Sequence, residues 1–309
     1  VQPDVTFIIA AYNAADTIWR AIESALAQRG ASVEVIVVDD RSTDNTAALA
    51  SSSPDERVRV VTLESNRGPG HARNAALALA KGRWIAVLDS DDTVFPDRIA
   101  AMIARAESTG ASAAVDNIEV IKDGETKGET MFPVHYLAKI NEITLADFIA
   151  SNLVFVTTFN FGYMKPIFER RFIEVHGLRY EENLRIGEDY IFLASILAKG
   201  GKCVVEPSVG YAYHVRPGSI SRVLETHHII AMLEADKTFL AKFELDPEAR
   251  AAQTRRTRSL EEAKSFLSLV GHIKRRSISG IVEVVLKDPA ALRHLSMPIG
   301  IRLRRLIPS

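Results

Sequence analysis

Asp89, Asp91 and Asp92 fall in the run Asp89-Ser90-Asp91-Asp92, directly after the apolar segment Trp84-Ile85-Ala86-Val87-Leu88. Three carboxylates at the end of a buried strand repel one another and lose hydration unless a divalent cation or a network of sugar hydroxyls balances them. Such a cluster suits metal-assisted phosphate chemistry. The plainer alternative is a solvated acidic loop that starts a helix at Phe95-Pro96-Asp97. Three other loops bear on the choice: Ala10-Ala11-Tyr12-Asn13, the acidic stretch from Asp39 to Asp44, and Asn66-Arg67-Gly68-Pro69-Gly70-His71-Ala72-Arg73-Asn74. Tyr12 can pack on a base, and Asp39 or Asp40 can accept from a pyrimidine imide or a ribose hydroxyl. Each loop also has a purely structural reading: Tyr12-Asn13 as a turn, Ser42 or Thr43 as a helix cap, Gly68 and Gly70 as the entry to a helix. The Gly68 loop lacks the Lys-Ser/Thr ending and the GxGxxG spacing of phosphate-cradling glycine fingerprints.

The elements that must position these loops are legible in the apolar pattern. Val5 to Ala10, Val33 to Val38, Val58 to Leu63 and Trp84 to Leu88 are continuous apolar runs, which predict strands covered on both faces. Helical stretches alternate with them at Ala15 to Gln28, Thr43 to Ser51, Pro69 to Ala80 and Pro96 to Ser108. Strand, loop and helix therefore repeat through the first hundred or so residues, the pattern of an open α/β sheet that binds ligands at the carboxyl ends of its strands. The informative loops lie at those ends. Beyond Ala113 to Val120, Lys122-Asp123-Gly124 predicts a hairpin turn and the pattern becomes mixed α+β to about Arg222. From Val223 on it is mainly helical, with Leu224 to Phe243 and Glu248 to Val270 separated by Asp246-Pro247. The expected organisation is a domain over 1–222, divided into a nucleotide-binding half (1–112) and an acceptor half (113–222), followed by a helical extension over 223–309.

With 309 residues and 47% apolar content the chain builds a substantial core without covalent staples. Its single cysteine, Cys203, sits in the strand-like Cys203-Val204-Val205 and reads as a buried thiol, usage that suits a reducing cytoplasm. The amino end shows no basic region followed by an apolar core, and no stretch reaches the roughly 18 apolar residues of a membrane span. A net charge of −1 conceals a split: from Arg250 onward there are 13 basic and 4 acidic residues, against 25 and 35 before it. The basic end suits an anionic surface.

Taken together, Ile8-Ile9-Ala10-Ala11-Tyr12-Asn13, the Asp-Asp-x-Ser-x-Asp of Asp39 to Asp44, the Asn-x-Gly-x-x-x-Ala-Arg-Asn of Asn66 to Asn74 and the Asp-x-Asp of Asp89 to Asp91 resemble the nucleotide-binding half of family 2 glycosyltransferases with a GT-A fold. Their order and spacing are specific, and the wording of the motifs is similar to bacterial exopolysaccharide transferases of the succinoglycan type. The resemblance covers about Val5 to Ser221. It implies a GT-A mixed sheet flanked by helices, and a sugar nucleotide held by its base near Ala11, Tyr12, Asn13, Asp39, Asp40 and Asn66. It further implies that Asp89 approaches the ribose, that Asp91 binds a Mg²⁺ or Mn²⁺ bridging the two phosphates, and that Arg73 steadies the loop or the diphosphate. Ala10 departs from the Pro of many relatives.

In the second half, Arg185-Ile186-Gly187-Glu188-Asp189-Tyr190 opens a helical stretch through Ala198. A Glu-Asp pair at a helix start is by itself only favourable with the dipole; the resemblance implies that Asp189 is the general base, with Glu188 positioning it or the acceptor. Tyr211 to Ser221 resembles the loop that closes over the diphosphate, with Arg216, Ser219 and Ser221 as phosphate contacts. His214, where many relatives carry Arg, can ligate the metal, donate to a phosphate, or simply end a strand.

The implied reaction is an inverting displacement at the anomeric carbon of a UDP-sugar, UDP-glucose by family habit and UDP-galactose or another UDP-sugar otherwise. The implied acceptor is a lipid-linked oligosaccharide at the inner face of the cytoplasmic membrane. A basic-apolar stretch from Arg293 to Ile307 reads as an interfacial helix that would hold the protein peripherally on that surface, or else as a solvated helix or one packing on the acidic body. Two rivals differ in class. A nucleotidyltransferase would carry a Gly-rich loop with a basic residue near the amino end, which Ala10 to Asn13 does not. A degenerate binder of sugar nucleotides would not need both Asp91 and Asp189. Nucleic acid is not expected as a partner, because the basic end lacks interleaved stacking aromatics.

Overall fold

The computed structural model describes residues 2–155, 159–215 and 224–295. The first run of elements is β1 (Val5–Ala11), α1 (Ile18–Leu26), β2 (Val33–Asp39), α2 (Thr46–Ser51), β3 (Val58–Thr62), α3 (Pro69–Leu79), β4 (Trp84–Val87), a two-residue β5 (Thr93–Val94) and α4 (Arg98–Thr109). β1 pairs in parallel with β2 on one side and β4 on the other, and β3 lies outside β2. The chain order thus reverses at β1 and β4, leaving a crevice between the loops that follow them. β1, β2 and β4 are buried on both faces, as their continuous apolarity requires. Val58, Val60 and Val61 of β3 are only half-buried, because that strand forms the sheet edge.

The second run is β6 (Ala113–Lys122), β7 (Glu129–Thr130), α5 (Val134–Leu137), β8 (Glu142–Ile143), α6 (Leu145–Ser151), β9 (Ile167–Glu169), α7 (Arg170–Val175), α8 (Glu188–Ala198) and β10 (Cys203–Val215). β9 runs antiparallel between β4 and β6 and joins both halves into one mixed sheet of order β3-β2-β1-β4-β9-β6-β10-β5. The turn at Lys122-Asp123-Gly124 forms as expected: Glu125 N–H donates to the Lys122 carbonyl at 2.9 Å, and Gly124 takes the left-handed φ of 81°. β10 carries register shifts on either side of Val209. A Cβ on Gly210 would stand 2.1 Å from Asp116 Oδ2, so only glycine lets the bulge pass over the buried Arg98–Asp116 pair and carry Tyr211 to the end of β4. Cys203 is fully buried, and burial pushes its thiol up to about 12, which removes nucleophilic character at neutral pH.

The last run is α9 (Thr226–Lys242), α10 (Pro247–Lys274), α11 (Ile278–Lys287) and a 3₁₀ turn over Pro289–Leu295. α10 starts where Asp246-Pro247 predicts: the Asp246 carboxylate accepts the Ala249 N–H at 2.8 Å, and Pro247 occupies the first turn, where its missing N–H costs nothing. These helices pack on the second run of elements, α10 against α6 and α9 against α8. Arg256 of α10 is buried, pairs with Asp236 of α9 at 3.0 Å, donates to the Asn152 carbonyl at the end of α6 at 2.8 Å, and covers the Tyr190 ring at 3.6 Å. Part of the basic excess is therefore internal rather than solvated. Arg293 to Leu295 finishes the 3₁₀ turn, and the rest of the stretch to Ile307 lies outside the described residues. Among the described residues no helix is long and apolar enough to cross a membrane.

Candidate active site

The four strand-end loops meet at the carboxyl edge of the sheet and are stitched to one another. Asn13, in the left-handed region at φ 50°, accepts the Thr43 N–H at 2.8 Å, and its own N–H donates to Ser42 Oγ at 2.9 Å. Asp44 accepts from the N–H of Ala15 at 3.1 Å and of Thr46 at 3.0 Å, so it, and not Ser42 or Thr43, serves the start of α2. Asp40 is buried, with one oxygen taken by the Arg67 N–H at 2.8 Å and the other by the Gly68 N–H at 2.7 Å. Asn66 donates to the Asp40 carbonyl at 3.1 Å and accepts from Arg185 at 2.8 Å. Asp39 is buried behind Ser42, whose N–H points at both its oxygens from 3.3 Å. Ala11 is buried in register with Asp39. Asn13 and Asn66 are exposed as well, but Tyr12 is the aromatic of this group and presents an exposed ring, the arrangement a stacked base needs. The other residues shape the floor beneath it.

At the β4 end lies a cluster of two cations and three carboxylates, in which Arg73 and Glu188 are buried and Asp89, Lys165 and Asp189 half-buried. Arg73 donates to Asp89 Oδ1 at 2.9 Å and to Glu188 Oε1, and stands 3.3 Å from Asp189 Oδ1. Lys165 spans the same acids, with Nζ 2.8 Å from Asp89 Oδ2 and 2.9 Å from Asp189 Oδ2. Burial pushes the Asp89 carboxyl up, but Lys165 and Arg73 outweigh it and hold the group down at about 2. Burial lowers the Lys165 ammonium, yet Asp189 and Asp89 reverse the balance and raise it well above its ordinary range. Burial and the neighbouring Asp189 raise Glu188 against the pull of Arg73. Glu188 is buried and shares the Arg73 guanidinium with Asp189. Arg73 is itself buried, with its guanidinium directed at carboxylates.

Asp189 occupies the first turn of α8, whose dipole favours anionic residues. Its Oδ1 is buried and accepts no hydrogen bond among the described residues. Asn74 completes the frame: its side chain accepts the Tyr180 N–H at 2.8 Å and donates to the Tyr180 carbonyl at 3.0 Å, which ties α3 to the segment leading into α8.

Asp91 is half-exposed at the mouth, while Asp92 behind it is buried, accepting from the Tyr211 hydroxyl and the His214 N–H, both at 2.8 Å. Burial, Asp89 and Asp91 push the Asp92 carboxyl well up. Asp91, half-exposed beside that buried acid, is a carboxylate of the kind that Mg²⁺ or Mn²⁺ takes, so the residues present fit such an ion. Among the described residues no three His, Cys, Asp or Glu side chains gather as a cage; Mg²⁺ and Mn²⁺ at phosphate sites take one or two carboxylates and complete the shell with phosphate oxygens and water. His214 Nε2 lies 3.0 Å from Thr93 Oγ1, beside this mouth. Arg216, Ser219 and Ser221 lie outside the described residues. Sequence reasoning missed Lys165 and Tyr211: a lone Lys before a Pro, and a Tyr within a strand, carry no local signal of partners in another half of the chain.

The model of glycosyl transferase family 2 matches residues 6–172. The chain is 60% identical over 305 residues to the succinoglycan biosynthesis protein ExoO of Rhizobium meliloti, covering 98% of this chain and 87% of the relative. It is 32% identical over 220 residues to the Escherichia coli UDP-Glc:alpha-D-GlcNAc-diphosphoundecaprenol beta-1,3-glucosyltransferase WfaP, covering 70% of this chain and 79% of the relative. Among solved structures, S. aureus TarS 1-349 in complex with UDP-GlcNAc superposes with a TM-score of 0.63 at 18% identity, over 91% of this chain and 90% of that one. The mannosyltransferase PcManGT from Pyrobaculum calidifontis with GDP-Man and Mn²⁺ gives 0.61 at 18% identity, over 98% and 81%. Four motif loops converging on one sheet edge, the family model and the long alignment agree: the chain is a GT-A glycosyltransferase and belongs to glycosyl transferase family 2.

Proposed function

We propose that the chain transfers a hexose, glucose by preference, from a UDP-sugar to a lipid-linked oligosaccharide during assembly of a bacterial exopolysaccharide, with inversion at the anomeric carbon. The observation that carries this reading is the Lys165–Arg73 bridge, which joins Asp89 on the donor side to Asp189 on the acceptor side within one cluster. Asp189 takes the proton of the attacking hydroxyl, and its oxygen then displaces the nucleoside diphosphate in line, with no covalent intermediate. Tyr12 stacks on the base and Asp89 holds the ribose, so that much of the acceleration comes from fixing two reactants in attack geometry. Asp91, with His214 beside it, would hold Mg²⁺ or Mn²⁺, which supplies neutralisation of charge on the leaving diphosphate.

The preference for UDP-glucose and a lipid carrier is supported by what the WfaP name states for that protein, and the exopolysaccharide role by the ExoO likeness. Such an acceptor places the enzyme peripherally at the inner face of the cytoplasmic membrane. Membership of the family sets aside the nucleotidyltransferase alternative. The test is thermal stabilisation across a panel of nucleotide sugars with and without Mn²⁺, followed by product analysis with a lipid-linked acceptor. Stabilisation by UDP-glucose and a product of inverted anomeric configuration are expected. A shift with purine nucleotide sugars alone, or a retained configuration, overturns the reading.

A further inference from the structure

α11 carries a wide apolar arc, and part of that arc is uncovered by the described residues. Gly280 seats the helix against α10 so closely that a Cβ there would stand 2.0 Å from His272 Nδ1, and Ile281, Val284 and Val285 are half-buried. That contact fixes the rotation of the helix. On its outer side Ile278, Val282 and Leu286, spaced four residues apart, are 77%, 50% and 78% exposed. Ile273 in the last turn of α10 and Leu292 in the following 3₁₀ turn are also exposed. Isolated exposed apolar residues are ordinary; a stripe of them along one helix marks an interaction surface.

The charges around the stripe identify its partner. Lys274, Arg275 and Arg276 form the turn that precedes it and Lys287 closes it, all exposed and none in an ion pair among the described residues. Glu283 is the only acid within α11. A protein interface depletes Lys and other charges at its core, whereas an apolar stripe bracketed by cations matches the headgroup boundary of an anionic bilayer.

We propose that the outer face of α11 docks on an anionic lipid surface, with Ile278, Val282 and Leu286 entering the acyl boundary and Lys274, Arg275, Arg276 and Lys287 meeting lipid headgroups. The proposal rests on the lipid-linked acceptor reading and assigns to it an element that sequence periodicity alone did not single out.

The test uses the full chain and vesicles of phosphatidylglycerol with phosphatidylcholine, or of phosphatidylcholine alone, both free of acceptor lipid. The chain should sediment with the anionic vesicles only. Ile278→Ser/Val282→Ser/Leu286→Ser and, separately, Lys274→Glu/Arg275→Glu/Arg276→Glu should each weaken partition by about tenfold or more. Transfer to a water-soluble acceptor analogue should be unchanged in both variants. Undiminished vesicle binding in either variant overturns the proposal, as does a fall in solution mass from dimer to monomer in the apolar variant without a change in vesicle binding. Vesicle binding without transfer to any acceptor would instead defeat the reading of function and leave the docking surface standing.

Discussion

Lys165 places its ammonium nitrogen 2.9 Å from Asp189 and 2.8 Å from Asp89, so a single side chain sets the spacing between the carboxylate proposed as the base and the one proposed to face the donor. Lys165 is therefore a positioning residue. Lys165→Met should lower kcat by about a hundredfold, the scale of losing ångström-level alignment, while KM for the donor moves much less. Lys165→Arg should recover part of kcat. A parallel rise in KM, or no recovery with Arg, would show that the lysine only fills space.

Asp189→Asn separates chemistry from binding. The cluster holds two cations and three carboxylates, so removing one negative charge leaves it balanced and the fold intact. Turnover should fall below detection while UDP affinity by calorimetry stays within about threefold, since a lost general base costs on the order of 10²–10⁴ in rate without touching the ground state. Donor affinity falling in step with turnover would reject the base assignment.

Asp91→Ala bears on the metal. Asp91 stands half-exposed beside the half-buried Asp89 and the buried Asp92, where a bound cation would offset their mutual repulsion. The wild-type chain should bind UDP more tightly with Mn²⁺ than with a chelator present, by about tenfold or more, as charge-assisted phosphate contacts suggest. In Asp91→Ala that difference should vanish. An unchanged metal dependence would remove Asp91 from the ligand set.

Local signals made much of the fold readable. Continuous valine and isoleucine runs specify strands covered on both faces, and Asp246-Pro247 marks a helix start because both residues act within one turn. Motif loops betray themselves by composition, yet composition does not say which carboxylates stay free. Asp40 and Asn66, expected at the base, are engaged by loop backbone and by Arg185. Lys165, Tyr211 and Arg256 act through partners brought near only by the completed sheet and helices, and no periodicity encodes such encounters. α11 was hidden for another reason: its apolar arc is visible in the sequence, but which part of that arc stays uncovered is set by Gly280 packing on His272 of α10, a contact that no periodicity encodes.

Cys203 offers a check on burial. With the thiol pushed up to about 12 and no exposed surface, it should not react with Ellman's reagent at pH 8 in the native protein. Under denaturing conditions its ordinary thiol acidity returns, and one equivalent should react within minutes. Ready reaction in the native state would mean that β10 opens at its start.

Arg256 joins the carboxyl-terminal helices to the chemistry. It is buried between Asp236, the Asn152 carbonyl and the face of Tyr190, and Tyr190 follows Asp189 directly in α8. Asp236→Asn strands the guanidinium without its counter-charge, and breaking a buried pair in this way costs about 3–5 kcal/mol. Asp236→Leu with Arg256→Met removes both charges and should recover most of that loss, because the desolvation of two ions is no longer required. The double variant should nonetheless turn over more slowly than wild type, since nothing then holds Tyr190 from the α10 side. Thermal melts of the single and double variants measure the coupling, and kcat reads the position of α8. Wild-type kcat in the double variant would mean that α9 and α10 support the fold without orienting Asp189.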